Sequence, residues 1–386
     1  MSGAAAAALD PGRPLRVLVV DDSETQRTIL AALLDADPGL IVVGRAVDGP
    51  EAIHHAAKLR PDVITIDLRM PGMDGLEATR RIMQETPTPV VMVAAGVSPE
   101  DRRLAAEALA AGVLAIVPKP TPGRAGERAA AELVETVKRM AQVRVIRRWS
   151  PERIATGQLR SPGGRVVTGQ LGTPSPAAPV APPTSRAPEL VAIGASTGGP
   201  QALHTILTRL PATFSPPVLV VQHIAAGFSA SIVDWLAPQC SLPFQIAQAG
   251  MRLDQPGIYL APTGQHLVVQ GNRLGLNDEP AVRGHRPSAT ILFRSVAASY
   301  GARAIGVLLT GMGDDGAVGL ADLKRAGAIT IAQDEASSVV FGMPAAAIAL
   351  GVVDHILPPQ HIPGLLVRLA VGPARPSRTI LPSRGL

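Results

Sequence analysis

Residues 190–200 read L-V-A-I-G-A-S-T-G-G-P, a short apolar run that breaks at once into a serine set among glycines. The run is continuous rather than alternating, which fits a strand covered on both faces in a parallel sheet. The glycines mark where that strand stops. Gly194, Ala195, Ser196, Thr197 and Gly198 satisfy the pattern G-x-S-x-G. In that arrangement the serine sits on a sharp strand-to-helix turn and its hydroxyl projects from the sheet edge. A phosphate cradle looks similar, because it also offers backbone N–H groups at a helix start. Its G-K-[ST] signature is missing here, and the dinucleotide spacing G-x-G-x-x-G is not met.

The same rhythm of β-branched runs and alanine-rich stretches continues in both directions. Upstream the strand candidates are Arg16–Val20, Ile41–Val43, Val63–Ile66, Val90–Val93 and Ala115–Val117. Downstream they include Val218–Val221, Gly257–Leu260, His266–Gln270 and Ala304–Leu309, after Leu190–Ile193 itself. The fold class expected is therefore α/β, with two doubly wound parallel-sheet domains, the second a three-layer α/β/α unit. Residues 141–187 separate them: T-P-S-P-A-A-P-V-A-P-P-T-S-R-A-P has no period, buries no continuous face and reads as a linker. The expected boundaries are 15–140, 141–187 and 188–372.

Composition narrows the class. Of the 386 residues 46% are hydrophobic, enough for two cores, but only 2% are aromatic, so those cores rest on Ala, Val, Leu and Ile. The net charge of +5 raises the question of nucleic acid. Much of the excess lies in the linker and tail, at arginines such as Arg147, Arg148, Arg153, Arg375 and Arg378, and almost no aromatics interleave for base stacking. No nucleic-acid partner is expected. Cys240 is the single cysteine and fits a reducing compartment. The alanine-rich start lacks a basic region, and no apolar stretch is long enough to span a bilayer, so no membrane insertion and a cytoplasmic location are expected.

Parallel sheets bind ligands outside the carboxyl ends of their strands, which directs attention to the residues just past each strand. In the first half one strand ends in Asp21-Asp22, another in Asp67 within I-D-L-R-M-P-G-M-D-G, and the last in V-P-K-P with Lys119. Carboxylates gathered around one point call for a hard cation such as Mg²⁺. A lysine beside them can hold a phosphoryl oxygen, and an aspartate so placed can accept a phosphoryl group. In the second half V-L-V-V ends in Gln222-His223, and A-I-G-V-L-L-T ends in G-M-G-D-D-G with Asp314 and Asp315. Serine, histidine and aspartate, each following a strand at its carboxyl end, are the groups that activate a serine hydroxyl. Glycines around Met312 would let backbone N–H groups face an oxyanion.

On these residues the first half resembles a response-regulator receiver domain, through V-V-D-D-S, I-D-L-R-M-P-G-M-D-G and V-P-K-P. The resemblance implies that Asp67 is the phosphoacceptor, that Asp21, Asp22 and Asp67 hold Mg²⁺, and that Lys119 contacts the phosphoryl group. Receivers usually end their fourth strand with Ser or Thr; here Ala94 stands at that position, with Ser98 in the loop beyond it, and Ile116 replaces the usual aromatic. The second half resembles the catalytic domain of chemotaxis protein-glutamate methylesterases, the CheB family. It does so through I-G-A-S-T-G-G-P, V-V-Q-H, Y-L-A-P, R-G-H-R-P-S, L-L-T-G-M-G-D-D-G-A and V-V-F-G-M-P. That resemblance implies Ser196 as nucleophile, His223 as base and Asp315 as the orienting acid, with Thr197, His266 and the Met312 N–H lining the site. Asp314 stands where the family commonly has asparagine. His285, Arg286 and Ser288 are candidates for the substrate groove. The implied activity is a phosphorylation-regulated carboxyl-ester hydrolase and glutamine deamidase, with no cofactor in its esterase domain. The implied partners are methyl-accepting chemoreceptors and a histidine kinase.

Overall fold

The computed structural model describes residues 13–94, 99–111, 113, 115–121, 124–141, 143, 187–225 and 227–371. Residues 144–186, which fall in the expected linker, the residues beyond 371 and Ser98 lie outside them. Among the described residues no helix is long and apolar enough to cross a membrane.

The first sheet contains β1 (Leu15–Val20), β2 (Leu40–Ala46), β3 (Val63–Asp67), β4 (Val90–Ala94) and β5 (Ala115–Pro118) in the order β2-β1-β3-β4-β5. Every neighbouring pair is parallel. Its helices are α1 (Glu24–Asp35), α2 (Gly49–Leu59), α3 (Gly75–Glu85), α4 (Pro99–Ala111) and α5 (Arg124–Ala141). Ser23, Asp48 and Asp74 cap the first three, each accepting from the backbone N–H three residues on. Val17 to Val20 are buried throughout, as a strand covered by helices on both faces requires. The order of connection reverses beside β1, so the carboxyl ends of β1 and β3 frame the crevice.

The second sheet contains β6 (Leu190–Ala195), β7 (Val218–Gln222), β8 (Phe244–Ile246), β9 (Ile258–Leu260), β12 (Ala304–Leu308), β13 (Ile329–Gln333) and β14 (His355–Leu357). It is parallel, in the order β14-β13-β12-β6-β7-β9-β8. Around it lie α6 (Gly199–Leu207), α7 (Ser229–Leu236), α8 (Ala289–Tyr300), α9 (Ala317–Arg325), α10 (Met343–Ala349) and α11 (Ile362–Val371). The chain leaves β6 toward β7 and returns on its other side as β12, so the switch point falls at the end of β6, where Ser196 stands.

One strand departs from expectation. His266–Gln270 is not part of the parallel sheet. It forms β10, antiparallel to β11 (Arg273–Asn277), as a separate hairpin. Two residues join these strands, and Gly271 adopts φ 61° there, which commits the chain to reversing on itself. The hairpin is fastened to α8: Val269 N–H donates to Ser295 Oγ (3.0 Å), and Ser299 Oγ donates to Val269 O (3.1 Å).

The two sheets share a boundary. Helix α4 packs on α7, and Leu104, Ala105, Ala108 and Leu109 join one buried apolar cluster with Phe228, Ile232 and Leu236. Gln201 Nε2 donates to Leu109 O (2.7 Å) across that seam. Val339 and Val340 pack against the cluster that includes Leu133 and Val137 of α5.

Candidate functional site

Each glycine flanking the serine turn has its own steric reason. A Cβ on Gly194 would lie 2.7 Å from the Ala289 methyl, and one on Gly198 would lie 2.5 Å from Val339 Cβ. Gly198 also adopts φ 75°, which a residue with a side chain rarely takes. A Cβ on Gly199 would collide with the Gln222 side chain. The serine turn can therefore close only on small residues. Ser196 N–H donates to Thr310 O (3.0 Å), and Ser196 O accepts from Gly199 N–H (2.8 Å) and from Gln222 Nε2 (2.7 Å).

The next strand brings in the histidine. His223 N–H donates to Ala195 O (3.0 Å), fastening it beside the serine turn. Its ring Nε2 lies 2.9 Å from Asp315 Oδ2. Because a carboxylate only accepts, Nε2 carries the hydrogen and Nδ1 is left as the basic atom. Nδ1 is buried and makes no hydrogen bond.

Asp315 is 2% exposed and sits at the N-terminus of α8. Oδ1 accepts from Ser288 Oγ (2.7 Å) and Thr290 N–H (3.1 Å); Oδ2 accepts from Ala289 N–H (2.7 Å) as well as from His223. Burial works to raise this carboxyl, but the bond and charge of His223 and the donors of Ser288 and Thr290 hold it well below the usual range.

His266 lies against Ser288. It is fully buried, with Nδ1 accepting from Ser288 N–H (3.1 Å) and Nε2 facing Pro280 O (3.2 Å). It holds Ser288, which in turn holds Asp315. The histidine beside the site is His285, whose ring lies on that of His223 with centroids 3.9 Å apart and planes at 4°. Burial first, and the neighbouring His223 next, push the His285 imidazole down to about 4. Arg286 is exposed, and its guanidinium donates to Asp278 O (2.8 Å) and Glu279 O (3.2 Å). Thr197 is half-buried and accepts at its carbonyl from Thr310 Oγ1 (2.9 Å). Met312 is half-exposed in the loop after β12, ahead of Gly313 at φ 80°. Asp314 pairs with Arg283. Gly311, one of the glycines around Met312, has a further, steric role: a Cβ there would lie 2.7 Å from Ser196 Cβ. Its place inside T-G-M-G was the available signal.

At the other switch point Asp21, Asp22 and Asp67 offer ligand oxygens that lie within 4.8 Å of one another. Lys119 Nζ is 2.7 Å from Asp21 Oδ2 and 2.8 Å from Asp67 Oδ2. Burial raises the Asp67 carboxyl despite Lys119. For Lys119 burial acts to lower the ammonium, and the two aspartates more than reverse it. Gly75 has no room for a Cβ against Asp67 O, so α3 can start directly beneath Asp67. Ala94 is buried and its carbonyl accepts from Lys119 N–H (2.8 Å). Three hard oxygen donors with one lysine suit a small divalent ion and an incoming anion.

Fold and site together define a class: a receiver joined to an α/β hydrolase with a serine, a histidine and an aspartate at adjacent strand ends. Residues 17–130 match the response regulator receiver domain, and residues 191–366 match the CheB methylesterase family. A protein-glutamate methylesterase/protein-glutamine glutaminase of Anaeromyxobacter dehalogenans is 47% identical, over 90% of this chain and 97% of its own. Another from Geobacter metallireducens is 45% identical over 92% and 99%. The Thermotoga maritima CheB methylesterase catalytic domain is 35% identical with a TM-score of 0.46, covering 48% of this chain and 100% of that one. The chain belongs to the protein-glutamate methylesterase/protein-glutamine glutaminase family.

Proposed function

We propose that the protein removes methyl groups from methylated glutamates, and amide groups from glutamines, on the cytoplasmic helical bundle of chemoreceptors. In this reading residues 15–140 are the receiver, 141–187 the linker and 188–372 the catalytic domain of a cytoplasmic enzyme. The observation that carries it is the His223–Asp315 bond of 2.9 Å, with His223 Nδ1 left unpartnered at the strand end next to Ser196. Ser196 Oγ attacks the ester carbonyl carbon while His223 Nδ1 takes its proton. Asp315, held ionised, stabilises the imidazolium. The Met312 N–H and Thr197 face the oxyanion. Methanol leaves with the proton from His223, and water then attacks the acyl-enzyme by the same route to release glutamate. With glutamine the leaving group is ammonia. Arg286 and its neighbours line the groove for acidic receptor helices.

Asp67 accepts a phosphoryl group from a histidine kinase, and Asp21, Asp22 and Asp67 would hold Mg²⁺, which supplies charge to neutralise the incoming phosphoryl oxygens. Lys119 holds one of those oxygens. Helices α4 and α5 lie on α7 and on Val339–Val340, the segment that bonds to Thr310 and Gly311 beside Ser196. Loosening that seam on phosphorylation opens the serine edge. The test is methanol release from a methylated receptor cytoplasmic fragment by full-length protein with Mg²⁺, with and without a small phosphodonor. Release that rises with the donor and vanishes in Ser196→Ala is expected. Release that survives Ser196→Ala overturns the serine mechanism, and serine-dependent release that ignores the donor overturns phosphoryl control.

A further inference from the structure

The face of the His223 ring is covered by a turn that is itself tied down. Arg283 and Gly284 adopt φ 52° and 84°, both left-handed, as a type I′ turn demands. Val282 and His285 close it by exchanging both backbone bonds, at 3.0 and 2.9 Å. Arginine at a left-handed φ is uncommon. Its guanidinium is paired with Asp314, and the next residue is Asp315. One loop thus reaches His223 twice. Through Asp315 it holds the ring at Nε2, and through Asp314 it holds the turn that stacks His285 on the ring face.

These two restraints are not redundant. A single hydrogen bond at Nε2 fixes a point and leaves the ring plane free to tilt about it. Nδ1, at the other side of the ring, has no bond to resist that tilt. The parallel stack of His285 fixes the plane. We propose that Arg283 and Asp314 are positioning residues: their ion pair latches the Val282–His285 turn to the site rim, keeps His285 seated on His223 and so keeps Nδ1 aimed at the reacting serine. This rests on the reading of Ser196, His223 and Asp315 as the reacting groups.

The test uses full-length protein, a methylated receptor cytoplasmic fragment, and the variants Arg283→Ala, Asp314→Asn and the two combined. An exposed pair acting on orientation is worth roughly 2–5-fold in rate. Each single variant is expected to lower kcat by that factor with KM unchanged, and the combined variant is expected to be no slower than either, because the pair acts as a unit. The NMR signals of the His223 ring protons, shifted by the His285 ring current in the parent, move toward ordinary values in all three. If Arg283→Ala raises KM alone while Asp314→Asn is silent, Arg283 meets substrate and the latch is wrong. Unchanged kcat and unmoved His223 signals also overturn it. Ser196→Ala run alongside separates the failures: activity that survives it sinks the serine reading, whereas loss of activity there with silent latch variants sinks only the latch.

Discussion

Acidification should weaken the esterase domain through His285. In the unfolded chain this imidazole gains a proton near its ordinary value of 6.5, whereas in the folded protein it does so only near 4. Between those values the unfolded state binds more protons, so stability falls as pH falls. The contribution is complete above about pH 6.5 and is lost by about pH 4. At about 1.4 kcal/mol per unit, an interval of about 2.5 units amounts to about 3 kcal/mol. Burial is the main cause of this sign, and the charges that face the ring divide. His223 lies against it and Arg139 adds positive charge, while Asp315 opposes them. The comparison is with His285→Phe, which keeps a ring on His223 and removes the proton site. Urea unfolding is followed by Trp235 fluorescence in a Trp149→Phe background, at steps from pH 7.5 to 4. Carboxylates titrate alike in both proteins and cancel. The parent should lose about 3 kcal/mol more than the variant. Parallel losses across the range would refute the reasoning.

Other perturbations test other parts of the molecule. Gly311→Ala places a methyl 2.7 Å from Ser196 Cβ and into Met343 Sδ. It should cost about 1–3 kcal/mol and about a hundredfold in kcat, and a near-parental rate would show the serine turn to be adaptable. Lys119→Met leaves Asp21 and Asp67 as buried like charges. The metal-free protein should lose about 3 kcal/mol and the thermal shift on adding Mg²⁺ should grow; unchanged metal-free melting would count against the ion-pair role. Ala94→Ser restores a hydroxyl at the end of β4 beside the Lys119 amide, and the ratio of phosphodonor-stimulated to basal methanol release should change. An unaltered ratio would show that the hydroxyl does not limit switching.

Much of this architecture was legible because buried parallel strands write themselves as continuous apolar runs. The residue that ends such a run is delivered to the ligand edge, and this placed Ser196, His223, Asp21 and Asp67 from pattern alone. What pattern could not supply was the packing across loops. His266 and His285 look alike in sequence, yet the reversal at Gly271 lifts β10 out of the sheet and turns His266 into a prop for Ser288, while the turn at Arg283 brings His285 over His223. Ser288, a groove candidate by sequence, caps α8 by accepting from Ile291 N–H. Its second bond, to Asp315, needs the fold. The strands β8 and β14 have three residues each, too few for a period to register.

The α4–α7 seam has a consequence that runs backwards along the signal. If phosphorylation of Asp67 favours parting of the seam, linkage requires that parting favour phosphorylation by the same factor. A receptor helix that wedges between α7 and α4 to reach Ser196 would then make the receiver a better phosphoryl acceptor. The substrate would act as its own summons: at a given phosphodonor poise an engaged enzyme would be phosphorylated to a greater extent than an idle one, and methylated receptors would concentrate the active form where they are.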